Sequence, residues 1–419
     1  MTDNGAVIRT LVVLALTLSA CAPHRLVEDT HLDDPAVRRV LRDVVRARNL
    51  PLRHALPVEL VEKDFVRERY WNEATSYVSM ATIDSYSVLL RKLRLVPGDF
   101  ELKKYADEAL RKNIGGFYDP KSGVMRLVHQ TGKPWMIIDL AERFFQRDVG
   151  GEFLLAHELG HALVDQNFDL QHYAGSPTQA DTLVAEAAFV EGDAQLTAFA
   201  YLAGRPLKPA AYEPDAHLLY GGPIDQWRSV PAVFRRPAVF LYLDGMCFAA
   251  AVYERGGTRA LNAVYKDPPR STEEILHPEK YFGHTDPPVQ VRFDRDPPAM
   301  AGFEVVNENT LGEIGVQTLL AVPLGWFAAA KAADGWGGDR FRIYRDPKNP
   351  ATVGFAWRTV WDSPAERVEF VENLAHALDV TFGKGAALGQ TRVWLSADTT
   401  FVLNDEGDRG ALLTMTGTK

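Results

Sequence analysis

The sequence predicts a helix-rich α+β protein in which a small α+β module follows a larger helical region. Three observations support this class. Residues 34 to 48 carry apolar side chains at helical spacing and residues 182 to 199 are an alanine-rich helical segment, residues 116 to 128 have the pattern of a β-hairpin, and helical and strand-like segments alternate after residue 298. The 419 residues are 46% hydrophobic and 24% charged, which is typical of a globular chain with one large or two moderate domains.

The N-terminus begins with a short apolar segment. Residues 6 to 20 are too few to span a bilayer, and Arg9 near their start with small residues at their end is typical of a secretory signal. Residues 18 to 21, Leu-Ser-Ala-Cys, resemble the lipobox of bacterial lipoproteins. The resemblance implies that Cys21 is acylated and anchors the mature chain in a lipid bilayer. The alternative is a plain signal peptide with a chance cysteine.

The resemblance to lipoproteins also predicts a location. Ala22 after the acylated cysteine resembles the outer-membrane sorting class, so we expect a lipid-anchored protein of the bacterial envelope. The chain has two cysteines, and an acylated Cys21 would leave Cys247 without a disulfide partner. The fold must then depend on its core and on any bound metal.

The first predicted elements are helices. A helix is expected from Asp34-Pro35 to about Arg48, with valines and a leucine on one stripe and arginines on the other. Residues 58 to 112 are predicted as further helices, broken at Pro97-Gly98. Their expected core residues are Tyr70, Trp71, Tyr77, Val78, Ile83, Leu89, Leu90 and Leu93. The hairpin at 116 to 128 follows, and residues 134 to 139 are a third strand candidate.

One segment has the spacing of a metal-binding helix. Residues 154 to 163 are largely apolar but contain His157, Glu158 and His161. Residues four apart on a helix share one face, with about 5–6 Å between their Cβ atoms, so both imidazoles can reach one tetrahedral ion. Glu158 projects at an adjacent angle, where its carboxylate can act on water as a general base. The pattern predicts a zinc site; the alternative is a pair of buried helix histidines.

A catalytic zinc site usually has three protein ligands, so a third ligand must come from elsewhere. The predicted helix at 182 to 199 carries three acids: Glu186, Glu191 and Asp193. At about 100° per residue they point in different directions, so we expect only one to reach the ion. Composition leaves the choice open. Asp165 and Asp193 are also candidates for orienting the ligands through hydrogen bonds.

A resemblance selects one of these acids. Residues 190 to 194, Val-Glu-Gly-Asp-Ala, resemble the Glu-Gly-x-Ala segment that carries the glutamate ligand in gluzincin metallopeptidases of the aminopeptidase type. The resemblance implies Glu191 as the third ligand. Glu191 lies thirty positions beyond His161, which is longer than usual in that group. An inserted loop at 167 to 179 would absorb the difference.

Residues 239 to 248 are predicted as a buried helix, followed by a turn that ends at Gly256-Gly257. This helix resembles the Tyr-x-x-Gly helix of the gluzincins. The resemblance implies that Tyr242 donates a hydrogen bond to the oxyanion of the tetrahedral intermediate. The alternative is a core tyrosine.

A dense polar and proline segment follows at residues 268 to 281. His277 and Tyr281 are candidates for a second oxyanion donor or a proton shuttle, and Arg270 for a ligand of a substrate carboxylate. The alternative is a rigid loop packed by its prolines. The order of Gly-Phe-Tyr-Asp, HExxH, Glu-Gly-Asp-Ala, Tyr-x-x-Gly and His-Pro-Glu-Lys-Tyr resembles a group of bacterial and archaeal predicted zinc peptidases.

The C-terminal third shows no further cluster of metal-ligand residues in its sequence. Residues 335 to 340 are rich in glycine and are predicted as a turn. Helices are expected at residues 311 to 320, 326 to 333 and 365 to 378, and strands at 341 to 344, 352 to 361, 391 to 395 and 400 to 403.

The predicted organisation has four parts. A signal peptide at 1–20 and a tether at 21–33 precede a zincin-like metallopeptidase core at 34–298 and an α+β module at 299–419. The expected function is a membrane-anchored zinc peptidase acting on an envelope or extracellular polypeptide. An endopeptidase is expected, because no cluster that would capture a substrate α-amine is recognisable near the motif.

Two other functions stay open. One is a non-catalytic envelope lipoprotein with a structural zinc site or a scaffold role, and the other is hydrolysis of a non-peptide amide. Nucleic acid is not an expected partner, because the net charge is −9 and no long basic run offsets it.

Overall fold

The computed structural model describes residues 26–28, 31–32, 34–77, 79–113, 115–128, 147–173, 179–205, 230–349 and 351–417. The predicted signal segment, Cys21 and the strand candidate at 134–139 lie outside the described residues. The described chain has an α+β fold, as predicted.

Helices dominate the N-terminal half. The predicted helix at 34 to 48 is confirmed, and its valine stripe is largely buried. The elements are β1 (Val27–Glu28), β2 (His31–Leu32), α1 (Asp34–Arg48), β3 (Val58–Val61), α2 (Lys63–Tyr77), α3 (Met80–Lys92), α4 (Leu102–Asn113), β4 (Gly116–Asp119), β5 (Val124–Val128), α5 (Val149–Phe168), α6 (Leu170–Tyr173) and α7 (Ala180–Ala203).

A three-stranded sheet with the order β3-β5-β4 precedes α5. β4 and β5 pair antiparallel, which confirms the predicted hairpin. The prediction of helix from residue 58 is wrong for Val58–Val61, because these residues pair in parallel with β5, and pairing with a distant strand outweighs local preference. Tyr70 was also wrongly predicted as core, since 44% of it is exposed.

The second half begins with a long interrupted helix and ends in a sheet. Its elements are α8 (Ala232–Val239), a π turn (Phe240–Asp244), α9 (Gly245–Val264), α10 (Thr272–Leu276), α11 (Pro278–Tyr281), a 3₁₀ turn (Pro298–Met300), β6 (Glu304–Asn309), α12 (Gly312–Leu324), α13 (Trp326–Ala333), β7 (Trp336–Arg345), β8 (Val353–Trp361), α14 (Pro364–Phe382), β9 (Ala386–Leu388), β10 (Thr391–Ser396), β11 (Thr399–Asp405) and β12 (Gly410–Gly417).

The C-terminal sheet is antiparallel and has seven strands in the order β6-β7-β8-β12-β11-β10-β9. The turn predicted at 335 to 340 is wrong from Trp336 onward, because these residues belong to β7 and contain a bulge before Gly338. A Cβ on Gly338 would lie 2.5 Å from the Val289 carbonyl oxygen. Glycine here therefore permits a bulge and a close backbone approach, and does not mark a chain reversal.

The core of this sheet is built around tryptophans. Trp336, Trp357 and Trp361 are almost fully buried. Asp339 is buried among them and accepts hydrogen bonds from the indole N–H of Trp336 at 3.2 Å and of Trp357 at 3.1 Å. It also accepts the backbone N–H of Gly312 at the start of α12, so its partners offset the cost of burying a carboxylate.

The chain divides into two compact units. Unit 1 comprises Met1–Glu68, Leu110–Gln171 and Ala194–Leu207, and unit 2 comprises Arg69–Ala109, His172–Asp193 and Lys208–Lys419. The boundary between Asp193 and Ala194 falls inside α7, so this single helix belongs to both units.

Among the described residues, the helical stretch Ala232–Val264 is long and apolar enough to cross a membrane. Its mean hydropathy is 1.2, and 44% of its most apolar window is buried. A buried core helix meets the same criteria, and Phe248, Ala249 and Ala250 are fully buried here. The backbone is non-helical at Gly256 and Gly257, where the sequence predicted a break, but the helix resumes and ends at Val264.

Candidate metal centre

The start of α5 is held by buried acids. The Asp148 carboxylate caps the helix by accepting the N–H of Gly151 at 2.9 Å. Glu152 is 2% exposed and accepts hydrogen bonds from Arg39 at 2.5 Å and from the Tyr201 hydroxyl at 2.7 Å. Because Tyr201 lies near the end of α7, this network fixes α5 against α7.

Helices α5 and α7 run antiparallel along the candidate site. Phe153 contacts Phe199 edge to face at 5.0 Å between ring centroids, and His157 meets Gln195 one turn further on. A Cβ on Gly160 would lie 3.3 Å from the Ala194 Cα, so the missing side chain allows a close approach. Each step toward the C-terminus of α5 thus corresponds to a step toward the N-terminus of α7.

The two predicted histidine ligands face each other. The Nε2 atoms of His157 and His161 are 3.1 Å apart, and the His157 ring is buried. Zn–N bonds of 2.0–2.1 Å in a tetrahedral site separate two nitrogen ligands by about 3.3 Å. The observed separation is therefore close to that of two imidazoles on one zinc ion.

Gln195 is a site residue that the sequence reasoning missed. Its Oε1 lies 2.9 Å from His157 Nδ1. If Nδ1–H donates to this oxygen, Nε2 carries the lone pair that a metal requires, as a carbonyl partner commonly ensures for ligand histidines. The signal available in the sequence was its position four residues after Glu191, on the same face of the predicted helix.

The predicted third ligand meets the histidines. Potential ligand atoms of His157, His161 and Glu191 all lie within 4.8 Å of one another. The antiparallel register explains this proximity. His161 lies one turn after His157 on α5, and Glu191 lies one turn before Gln195 on α7, so His161 and Glu191 come to the same level. The long spacing between His161 and Glu191 follows mainly from helix length, since α5 continues to Phe168 and α7 begins at Ala180.

The donor set suits zinc. Two imidazole nitrogens and one carboxylate oxygen are ligand types that zinc accepts, and three protein ligands leave a fourth position for water or substrate. The residues present therefore fit a catalytic zinc ion, with His157, His161 and Glu191 as the side chains that would hold it.

The two alternative acids on α7 lie elsewhere. Asp193 is 1% exposed and accepts a hydrogen bond from the Tyr265 hydroxyl at 2.8 Å. Glu186 is buried, and burial raises its pKa to about 7. Neither acid is part of the group formed by the two histidines and Glu191.

Glu158 is positioned by the strand that precedes the helix. One oxygen of its buried carboxylate accepts the backbone N–H of Tyr118 at 2.8 Å. The Tyr118 hydroxyl donates to Asp165 at 2.7 Å, and Asp165 also accepts the N–H of Leu170. Asp165, predicted as a residue that orients the ligands, thus connects α5 to β4. Two hydrogen bonds on Tyr118 place the edge strand β4 beside Glu158.

The glycines of two predicted motifs meet each other. A Cβ on Gly192 would lie 2.1 Å from the carbonyl carbon and oxygen of Gly245, and a Cβ on Gly245 would lie 1.9 Å from the Ala188 oxygen. Helices α7 and α9 therefore touch backbone to backbone at this crossing. The π turn that carries Tyr242 directly precedes Gly245, as Glu191 precedes Gly192. Tyr242 is 44% exposed, so it is not a core tyrosine.

His277 is paired with a buried acid. Its Nε2 forms a hydrogen bond of 3.3 Å with Oε1 of Glu313, whose side chain is 1% exposed. This hydrogen bond raises the pKa of His277 to about 9, so the imidazole is a cation at neutral pH. Tyr281 donates its hydroxyl to the Asp267 carbonyl at 2.7 Å, and the Arg270 guanidinium lies 3.7 Å from the Asp267 carboxylate.

A second group of potential ligands occurs in unit 2, formed by Glu273, Asp286 and Asp362. The Lys280 ammonium lies 2.7 Å from Glu273, 2.6 Å from Asp286 and 3.3 Å from Asp362. This acidic cluster therefore shares one cation that the chain itself supplies.

Comparison with known families concerns the C-terminal part of the chain. Residues 301–418 match the model of a family described as a domain of unknown function (DUF8575). This range covers the elements from β6 to β12. No curated protein matches the chain.

Proposed function

We propose that the chain is an envelope-anchored zinc metallopeptidase with a zincin-like core of the gluzincin type. The observation that carries the proposal is the group of His157, His161 and Glu191 beside Glu158. A zinc ion bound there would polarise a peptide carbonyl and lower the pKa of a water molecule. The lipobox-like residues before Cys21 support the envelope location and an extracytoplasmic polypeptide as substrate.

Glu158 is the proposed general base. Its carboxylate is adjacent in sequence to a ligand and is oriented by the Tyr118 N–H, which occupies one of its two oxygens. The carboxylate is thereby held in one direction, so that it can take a proton from water and deliver it to the departing amine nitrogen. Positioning of this kind lowers the entropic cost of the proton transfers.

The edge strand β4 is a proposed substrate-binding element. Within the described sheet, β4 pairs with β5 alone, and Tyr118 turns its N–H toward Glu158 on the opposite edge. An extended peptide could pair with this edge as an additional strand. Such pairing would bring backbone carbonyls of the peptide past the general base, and it favours cleavage within a chain.

Tyr242 is the proposed oxyanion donor. Its side chain is exposed, and it lies in the π turn directly before Gly245. Because Gly245 contacts Gly192 on α7, this π turn lies beside the part of α7 that carries Glu191. A preorganised hydroxyl that donates to the developing oxyanion contributes about 10²–10³ in kcat in comparable sites. His277 is the second candidate, although its imidazole is engaged by Glu313.

The test is Glu158→Gln. Peptides from a mixed library would be digested by the wild type and the variant, with zinc content measured on both. Loss of the general base is expected to lower kcat by about 10²–10⁴, while zinc content stays unchanged because Glu158 is not among the ligands. The exposed Glu254→Gln on α9 is the matched control and should leave hydrolysis unchanged.

Two outcomes would count against the proposal. Wild-type protein with full zinc content that cleaves no peptide would favour the structural or scaffold role. Hydrolysis that persists in Glu158→Gln, or in wild type after zinc removal by a chelator, would exclude the mechanism.

A further inference from the structure

The π turn at Phe240–Asp244 interrupts an otherwise α-helical stretch. The N–H of Gly245 bonds to the Phe240 carbonyl five residues earlier, where an α-helix would use the residue four earlier. Such turns accommodate one extra residue and are frequent at functional sites. Tyr242 is the middle residue of this turn.

One ion pair is matched to this turn. The Arg236 guanidinium pairs with the Asp244 carboxylate, eight residues later. In a regular α-helix, positions eight apart differ by about 80° around the axis. The π turn accommodates one extra residue, so Arg236 and Asp244 are placed around the axis like positions seven apart in a regular helix. Seven residues fall only about 20° short of two full turns, so the two side chains lie on nearly the same face. The ion pair therefore fits the π turn better than a regular helix.

Arg236 is itself rigidly held. It is 4% exposed, and its guanidinium lies 4.1 Å from the ring centroid of Trp326. Its Nη2 donates to Gln317 Oε1 at 3.1 Å, and Gln317 Nε2 donates to Glu313 at 2.9 Å. Because Glu313 pairs with His277, a continuous chain of polar contacts runs from His277 to Asp244.

We propose that Arg236 and Asp244 are positioning residues for Tyr242, because their ion pair holds the π turn that sets the direction of the tyrosine side chain. The inference rests on the proposed function, in which Tyr242 acts on the oxyanion. It assigns a role to two residues outside the proposed ligand set of His157, His161 and Glu191. Gln317 and Glu313 extend the support of Arg236 toward His277.

A double-mutant cycle tests the proposal with a fluorogenic peptide chosen from the wild-type digestion. Asp244→Asn is expected to lower kcat about 10- to 100-fold, with KM and zinc content little changed, because a small displacement of a catalytic group has effects of this size. In the Tyr242→Phe background the same change should lower kcat less than about twofold, since the group being positioned is already absent.

Asp244→Asn leaves a buried arginine without its counter-charge, so a second variant guards against simple unfolding. Arg236→Met with Asp244→Leu removes both charges, which is tolerated better than removing one. Its kcat should fall like that of Asp244→Asn. Asp244→Glu, which keeps the charge, should retain most of the wild-type kcat.

Hydrogen exchange of the amides in 240–245 provides a readout that needs no substrate. Exchange should accelerate in Asp244→Asn and in the charge-free pair, but not in Tyr242→Phe. Unchanged exchange would overturn the positioning role even if the protein were no peptidase. Equal losses of kcat with and without Tyr242 would also overturn it. A wild type that cleaves no peptide would instead contradict the proposed function.

Discussion

Two groups of three potential metal ligands occur in the described residues, and they differ in chemistry. The group on α5 and α7 combines two imidazoles with the Glu191 carboxylate. The group in unit 2 consists of Glu273, Asp286 and Asp362, and the Lys280 ammonium lies within 3.3 Å of all three. The ligand atoms therefore lie at similar distances in both groups, although one group contains imidazoles and the other consists of carboxylates around an ammonium.

The difference shows which observation identifies a metal centre. Three carboxylates repel one another, so they gather only where a cation is supplied, and in unit 2 the chain supplies its own. Neutral imidazoles need no counter-charge. The spacing of four residues on one helix brings the two rings together, and their Nε2 atoms, 3.1 Å apart, are also within hydrogen-bonding distance of each other. The donor types and the local charge balance, more than the distances, favour the group on α5 and α7 as the candidate metal site.

Lys280→Met should have the largest effect of the tests that separate the two groups. Removal of the ammonium leaves the buried Glu273 and the partly exposed Asp286 and Asp362 without their shared cation, so the free energy of unfolding should fall by about 3 kcal/mol. Denaturant unfolding would measure this change, and zinc content should not change. The exposed Lys331→Met is the control, and its free energy of unfolding should stay close to that of the wild type, because exposed ion pairs contribute little. If Lys280→Met lowered the zinc content, zinc binding would no longer distinguish the group on α5 and α7 from the group in unit 2.

Glu191→Gln and Glu273→Gln form a matched pair of equal chemistry. Loss of a direct ligand should weaken zinc binding by more than ~100-fold, since residues that only orient ligands already contribute about 10- to 100-fold. Glu273→Gln should leave the affinity unchanged. Competition against a chromogenic chelator measures both. An equal loss in the two variants would mean that Glu191 is no ligand.

Gln195→Ala tests how the histidine group is oriented. Without the Oε1 acceptor, His157 loses the partner that selects its tautomer, and zinc affinity should fall by about 10- to 100-fold. Gln195→Glu keeps an acceptor at this position and should preserve or increase the affinity. If alanine and glutamate behave alike, the hydrogen bond has no part in metal binding.

His277 provides the smallest expected effect and tests the charge balance near the acidic cluster. Its pKa is raised to about 9 by the hydrogen bond to Glu313, so the folded state holds the proton more tightly than the unfolded state. The resulting stability is fully present below about pH 6.5 and is lost as the pH rises through about 9. We expect a loss of about 1–3 kcal/mol over this window.

The check is unfolding between pH 6 and 10, and His277→Gln is the control, because it removes the titrating group. Its stability should vary less over the same window than that of the wild type. A wild type whose stability is constant from pH 6.5 to 9 would contradict the pairing.

Local patterns predicted much of the fold. The helix at Asp34–Arg48 has regular apolar spacing, the hairpin of β4 and β5 has a turn sequence between two apolar runs, and α7 is rich in alanine, so these local features predict the type of each element. The failures have a shared cause. Val58–Val61 is a strand because β5 pairs with it, and residues 336–340 join β7 because β8 pairs with them. A pairing partner outside the segment leaves no signal in the segment's own sequence.

The candidate site divides in the same way. The sequence by itself determined that His157 and His161 share a helix face, because a spacing of four residues is a local property of any α-helix. It also determined that Glu158 stands beside them. These inferences needed no partner element, and the structure places the side chains accordingly.

Helix periodicity left the choice among the acids of α7 open, and a resemblance alone implied Glu191. The tertiary structure decided which acid faces the histidines and what supports the site. The antiparallel register of α5 and α7 brings Glu191 to the histidines and Gln195 to His157, while Asp193 meets Tyr265. The contact of Gly192 with Gly245 likewise joins two segments more than fifty positions apart. Helix periodicity sets directions around one axis, whereas the choice of neighbour depends on how two axes pack.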